Sequence, residues 1–247
     1  MRIFTDPVNI GDKYISITDK GDIKHMVKVM RLKEGYKVDV SDSAQWEYET
    51  EIDQITDDEV LLRILDKQAF AREPEVRVTL FQGVPKAGKM ETIIQKCVEL
   101  GVYSITPVFM ERTVVVEKGN FGKKLDRWQK VSDEAVKQCK RGIIPEINSS
   151  LKFKEMIKEL GSFDLILFPY ENESNYSIKD CLRGLCEEGR KPKTVAIIIG
   201  PEGGFADSEA TMLDEAGAER VTLGKTILRT ETAGMAALAM TMYELEL

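Results

Sequence analysis

Histidine is almost absent from this sequence: His25 is the only one in 247 residues. The four cysteines, Cys97, Cys139, Cys181 and Cys186, form no C-x-x-C pair and lie far from His25 in the chain. These scarcities argue against a zinc site and a disulfide framework, so reduced thiols and no metal are expected. No apolar run approaches the roughly 20 residues that cross a bilayer, and the first residues carry no apolar signal core. The expectation is a soluble, cytoplasmic protein with no membrane partner.

Net positive charge is also lacking. A formal charge of −7 speaks against nonspecific nucleic-acid binding, but the charges are unevenly spread. Lys20, Lys24, Lys28, Arg31, Lys33 and Lys37 are opposed only by Asp22 and Glu34, and the stretch from Lys118 to Arg141 is basic, whereas Asp42 to Glu59 is acidic. Local basic stripes can grip a phosphate backbone on an acidic protein; solvated helix faces are the plain alternative.

Two patterns of organisation follow each other along the chain. Up to about Ala71 the apolar residues form short alternating runs, Tyr14–Thr18, Lys37–Val40, Trp46–Ile55 and Val60–Leu65, separated by turn residues. A small β-barrel of residues 1–71 accounts for them, with a helical insertion over Ile23–Leu32 that presents the basic stripe. After the linker Arg72-Glu73-Pro74-Glu75, strands and helices alternate: Val76–Gln82, a helix from Lys89 to Leu100, Ser104–Phe109, a helix over Leu125–Cys139, then Phe163–Phe168, Val195–Ile199 and Val221–Leu223. Such alternation over 72–247 predicts an α/β domain with a parallel sheet, whose ligands bind at the carboxyl ends of the strands.

Three strand ends carry polar loops rich in Gly or Pro: Pro169-Tyr170-Glu171, Gly200-Pro201-Glu202-Gly203-Gly204, and the long stretch from Gly224 to Ala233. If the strands are neighbours, backbone groups of these loops can clasp an adenine and ribose. The Gly200–Gly204 loop holds a carboxylate and no Lys or Arg, which suits a neutral or cationic ligand better than a polyphosphate. A second glycine motif, Gly83-Val84-Pro85-Lys86-Ala87-Gly88-Lys89-Met90, has the spacing of a nucleotide-binding P-loop. Met90 replaces the Ser or Thr that would hold Mg²⁺, and the apolar run Leu165–Phe168 ends in Pro169, not in a magnesium-binding Asp. Lys86 and Lys89 are then available to another anion, such as an RNA phosphate. The last helix, with Thr230 as its expected N-cap, shows a face of Ala233, Gly234, Ala236, Ala237 and Ala239; it packs closely against its own domain or a twin subunit.

Ile199–Phe205 together with Leu223-Gly224 and Ile227-Leu228-Arg229-Thr230-Glu231-Thr232-Ala233 resembles the signature of the RsmE family, SPOUT-superfamily methyltransferases of bacterial 16S ribosomal RNA. Lys96, Glu99–Val102, Glu111-Arg112, Glu134–Arg141 with Pro145, and His25 with Val29 and Arg31-Leu32 extend the likeness over essentially the whole chain. The resemblance implies a PUA-like β-barrel that docks RNA, a trefoil-knotted α/β domain, a homodimer, and S-adenosylmethionine as cofactor. Its site would comprise Pro169, Tyr170, Gly200, Pro201, Glu202, Gly203, Gly204, Leu223, Gly224, Ile227, Leu228, Thr230, Glu231, Thr232 and Ala233. The implied reaction is methylation of N3 of one uridine in the decoding region of 16S RNA, with the small ribosomal subunit as partner. Arg229 is the candidate to stabilise charge developing on the base, and Glu171 joins it as a candidate catalytic residue; the general base stays open. Lys24, His25, Lys28, Arg31, Lys86, Lys89, Arg112 and Arg141 are the candidate RNA contacts. An NTPase using Gly83–Lys89 and a non-catalytic RNA-binding module are the competing readings.

Overall fold

The computed structural model describes residues 2–70, 73–116 and 121–246. The expected domain boundary at Ala71 and Arg72, and Lys118 at the head of the second basic stretch, lie outside them. The chain divides into two compact units. One comprises the residues up to Glu73 together with Val136–Ile144; the other comprises Pro74–Ala135 and the residues from Pro145 on.

The first unit is built on β1 (Arg2–Phe4), β2 (Tyr14–Ile17), β3 (Lys37–Ser41), β4 (Trp46–Ile55) and β5 (Val60–Ala69). They form a curled sheet in the order β1-β3-β4-β5-β2, parallel only between β1 and β3. Side chains alternate across a strand, so Tyr48, Thr50 and Ile52 of β4 all turn inward. Register shifts between Glu49 and Thr50 and between Ile52 and Gln54 bend the long β4–β5 ribbon around the core. That core is mainly aliphatic, with Ile3, Ile15, Ile17, Val38, Val40, Val60 and Leu62 packed with Tyr48 and closed by Ile23 and Met26. The expected helix over Ile23–Leu32 starts earlier and ends sooner. Asp19 caps α1 (Lys20–Lys24) by accepting from the Asp22 N–H at 2.9 Å, and a π-helical turn, His25–Val29, follows. It stops at Arg31, whose φ of 54° is incompatible with a continuing helix.

Residues 136–144 return to this unit through polar ties. Arg2 Nη1 donates to the carbonyls of Lys140 (2.8 Å) and Arg141 (2.9 Å), while Nη2 pairs with the buried Glu47. Ser41 Oγ donates to Gly142 O, and the Phe70 ring lies where a Cβ on Gly142 would stand. Glu73 is the hub. It accepts from Arg141 Nη2 (2.8 Å) and Nε (3.2 Å) and from the backbone N–H groups of Gly142 (2.7 Å) and Ile143 (3.1 Å). Arg141 is buried in this pair, which corrects its assignment as an RNA contact: a guanidinium enclosed beside a carboxylate is not presented to a phosphate.

The second unit holds β6 (Arg77–Gly83), β7 (Ser104–Phe109), β8 (Glu146–Ile147), β9 (Leu151–Lys152), β10 (Leu165–Pro169), β11 (Thr194–Ile199) and β12 (Glu219–Val221). Every pairing is parallel, in the order β12-β10-β11-β6-β7-β8, with β9 also on β7. Central strands read as unbroken apolar runs because helices cover both faces of such a sheet. The helices are α2 (Lys89–Glu99), α3 (Phe121–Cys139, whose residues from Val136 on belong to the first unit), α4 (Phe153–Glu159), α5 (Ile178–Glu187), α6 (Asp207–Glu215) and α7 (Thr230–Glu246).

Glu73→Ala leaves the buried Arg141 without its carboxylate and two backbone N–H groups without an acceptor. Removing one partner of a buried pair costs about 3–5 kcal/mol, so urea denaturation should show a loss of that order.

Candidate functional site

The three loops singled out in the sequence follow β10, β11 and β12, and these strands are adjacent and parallel, so their carboxyl ends open on one side. There the loops enclose a cavity of about 780 Å³. Its wall includes Pro169, Tyr170 and Glu171 from the first loop and Gly200, Pro201, Glu202 and Gly204 from the second. Leu223, Gly224, Ile227, Leu228, Arg229, Thr230 and Ala233 come from the third. Gly203, Glu231 and Thr232 are absent from the wall: Gly203 faces Arg112, Glu231 turns to Lys89, and Thr232 is exposed. Residues not anticipated there are Lys89, Glu173, Ser174, Ile199, Phe205, Thr222, Lys225 and Thr226. Among the described residues no group of His, Cys, Asp and Glu could hold a metal ion.

Close packing accounts for the glycines of the second loop. A Cβ on Gly83, at the end of β6, would lie 2.5 Å from Pro201 N, so β6 and the loop meet backbone to backbone. A Cβ on Gly203 would lie 2.9 Å from Arg112 Cβ, and Gly204 has φ of 67°, a conformation that favours glycine. Arg112 Nη1 donates to Gly203 O at 3.0 Å, so this exposed arginine braces the loop.

Thr230 is not the N-cap expected of α7 but lies inside its first turn. Its buried hydroxyl donates to Gly200 O (2.6 Å) and accepts from Gln82 Nε2 (2.9 Å), joining β6, the second loop and α7. Of the small-residue face, Gly234 and Ala237 pack inward, while Ala233, Ala236 and Ala239 are half-buried. The first two are buried within their own unit, and a Cβ on Gly234 would lie 3.2 Å from Gln82 Oε1 and against Leu80 and Ile199. The other side of the helix exposes Met240 and Tyr243.

The P-loop-like turn has a carboxylate in place of a phosphate. Glu202 Oε1 accepts from the Lys86 backbone N–H and from Lys89 Nζ, both at 3.0 Å, and Lys89 Nζ also lies 3.2 Å from Glu231 Oε2. Two expectations are thereby corrected: Glu202 is not an unmatched negative charge facing the ligand, and Lys89 is not available to an RNA phosphate. Burial opposes ionisation of Glu202, but the Lys89 ammonium and backbone N–H groups outweigh it and hold the carboxyl below its ordinary range. Glu231 is lowered first by its own backbone N–H and further by Lys89; Lys89 itself is raised, chiefly by its hydrogen bond to Glu202. Lys86 keeps an exposed side chain.

Arg229 is exposed on the cavity wall, and the ion pair that would have made it structural is taken by Lys89; Arg229 has none among the described residues. Glu171 lies opposite Gly204, its Oε1 3.5 Å from where a Cβ there would stand. The remaining RNA candidates, Lys24, His25, Lys28 and Arg31, are exposed on the first unit beside Val29 and Met30.

A parallel sheet with a cavity at its carboxyl ends, in a chain that also carries a curled β unit, is the architecture of a two-domain RNA methyltransferase. Residues 72–242 match the family model described as RNA methyltransferase domain, and residues 17–65 match the RNA methyltransferase PUA domain. The chain belongs to the ribosomal RNA small subunit methyltransferase E (RsmE) family. It is 31% identical to the enzyme of that name from Bacillus subtilis over 233 residues, covering 94% of this chain and 91% of the relative. Among solved structures, the family member from Neisseria gonorrhoeae bound to S-adenosyl methionine superposes with a TM-score of 0.84 at 26% identity, covering 98% of this chain and 96% of that one. A Legionella pneumophila protein in complex with the bound cofactor SAM matches at 28% identity and a TM-score of 0.84, with the same coverage.

Proposed function

We propose that this protein methylates small-subunit ribosomal RNA with S-adenosylmethionine, at N3 of a uridine in the decoding region. The observation that carries the reading is the cavity at the meeting of three loops inside an RNA methyltransferase domain, with an arginine on its wall that has no ion pair among the described residues. The residues present fit the cofactor. Glycine-backed loops bring backbone donors and acceptors close to a nucleoside, and Glu171 and Glu173 on the wall are compatible with a sulfonium but not with a triphosphate. The NTPase alternative loses its anion site, because Glu202 occupies the Lys86 N–H and the Lys89 ammonium.

The bound cofactor supplies an electrophilic methyl group on sulfur. The protein's own task would be to hold the uracil edge where the cofactor would present its methyl group, with the N3 proton released to water. Negative charge on the deprotonated ring spreads to the flanking carbonyl oxygens, where a fixed guanidinium lowers the barrier. Arg229 is the group we assign to this role. Glu171, across the same wall, is assigned to orienting the substrate edge.

S-adenosylhomocysteine should raise the melting temperature of the protein, as any ligand of the native state does, whereas ATP with magnesium should not. Arg229→Ala should lower single-turnover methyl transfer by roughly 10²–10³-fold with cofactor affinity nearly unchanged. Arg229→Lys, which keeps the charge without the planar fork, should not restore it. Stabilisation by ATP alone, or near-normal transfer by Arg229→Ala, would reverse these assignments.

We assign RNA docking to the exposed basic face of the first unit. Replacing Lys24, Lys28 and Arg31 by Ala should flatten the salt dependence of RNA binding by about 0.7 per lost phosphate contact on a single strand. Cofactor affinity should be unchanged. An unaltered slope would make the stripe a solvated face.

The active form is assigned as a homodimer joined through the outward side of α7, where Met240 and Tyr243 are exposed. Tyr243→Glu should shift light scattering toward monomer. A wild type that is monomeric at working concentration would refute the assignment.

A further inference from the structure

We infer that Lys89 is a positioning residue for the cofactor: it ties the Gly200–Gly204 loop to the start of α7 and so fixes two walls of the cavity in ligand-binding register. This rests on the reading of the cavity as the S-adenosylmethionine site. Lys89 opens α2, directly after the turn that follows β6, yet it reaches Glu202 and Glu231, which are 113 and 142 positions further along the chain. One nitrogen thus serves two carboxylates, Glu202 in the second loop and Glu231 in the first turn of α7. Glu202 has a second donor in the Lys86 N–H, but Glu231 Oε2 is buried and, among the described residues, has no hydrogen-bond partner, only the nearby ammonium. Without the ammonium, two carboxylates converge with nothing between them, and like charges at that range push the loop and the helix start apart. The neutral tie through Gln82, Thr230 and Gly200 O joins the same three segments deeper in the unit, so the fold survives without Lys89 while the rim of the cavity shifts.

Lys89 also explains why a P-loop spacing persists without P-loop chemistry. The turn presents a backbone N–H and an ammonium to an anion, as a phosphate-binding turn does, and Glu202 Oε1 is that anion. The glycine-rich turn therefore recognises the second loop of its own chain.

Calorimetry with S-adenosylhomocysteine separates the possibilities, because the probe is neutral at sulfur and needs no RNA. The other charged groups at the site are Arg229, which acts on Glu231, and Glu171, Glu173 and Lys225 on the cavity wall; all are retained in the variants. Lys89→Met should weaken binding at pH 8 on the order of tenfold, the loss of one charge-assisted tie. Affinity should recover as pH falls toward 5 (about one unit above the ordinary carboxylate range), since paired carboxylates share a proton more readily than isolated ones. Lys89→Arg should bind within about threefold of wild type. Lys89→Met with Glu202→Gln should regain part of the affinity and lose the pH dependence. Wild-type affinity in Lys89→Met at both pH values overturns the inference. So does a loss independent of pH that neither Arg nor the second substitution rescues, which would make Lys89 a direct ligand contact or a purely structural residue. If wild type binds no S-adenosylhomocysteine, the cofactor reading fails, and the inference with it.

Discussion

Everything at the cavity depends on three parallel strands lying side by side. Parallel pairing points the carboxyl ends of β12, β10 and β11 the same way, so loops that are far apart in the chain meet without any of them having to be long. The strands supply position and the loops supply chemistry. Because the runs Leu165–Phe168 and Val195–Ile199 are buried on both faces, a slip in register would expose apolar side chains or bury polar ones, and the loops inherit that fixity. The glycines add a second constraint. With no side chain at Gly83, the end of β6 abuts the Pro201 backbone, and Arg112 grips the far side of the same loop.

Much of this was legible because apolar periodicity is a local property. Trp46–Ile55 and Ser104–Phe109 are strands with the expected limits, since each is a full run between clear turns. β5 continues to Ala69, past the apolar run ending at Leu65, because pairing with β4 carries polar residues into the ladder. β8 and β9, two residues each, and β1, three residues, are too short to show a period. The position of the loops was readable only as a condition, that their strands be neighbours, and strand order is not a local property.

Charge partners were the least legible element. Nothing near Glu202 in sequence reveals that its cation is Lys89, and nothing near Arg141 reveals Glu73, 68 positions earlier. In both cases a residue in a basic context was read as a free cation, while folding brings it to a carboxylate. The signal available for Lys89 was the incomplete P-loop itself: a turn shaped for an anion, with Met90 where a P-loop holds magnesium through Ser or Thr, is open to an anion from elsewhere in the chain. A spacing of donors that suits a phosphate need not mean a phosphate ligand.

The return of residues 136–144 to the first unit has a consequence for synthesis on the ribosome. Arg2 and Glu73 are among the first third of the chain to emerge, yet the carbonyls of Lys140 and Arg141 and the N–H groups of Gly142 and Ile143 that satisfy them are made much later. Until then a buried guanidinium and carboxylate lack part of their hydrogen bonding, which disfavours closing the sheet around them. The N-terminal unit therefore cannot reach its final form in the order in which it is translated. Its closure waits on a segment whose last tie, the Ile143 N–H, is made 70 positions after Glu73.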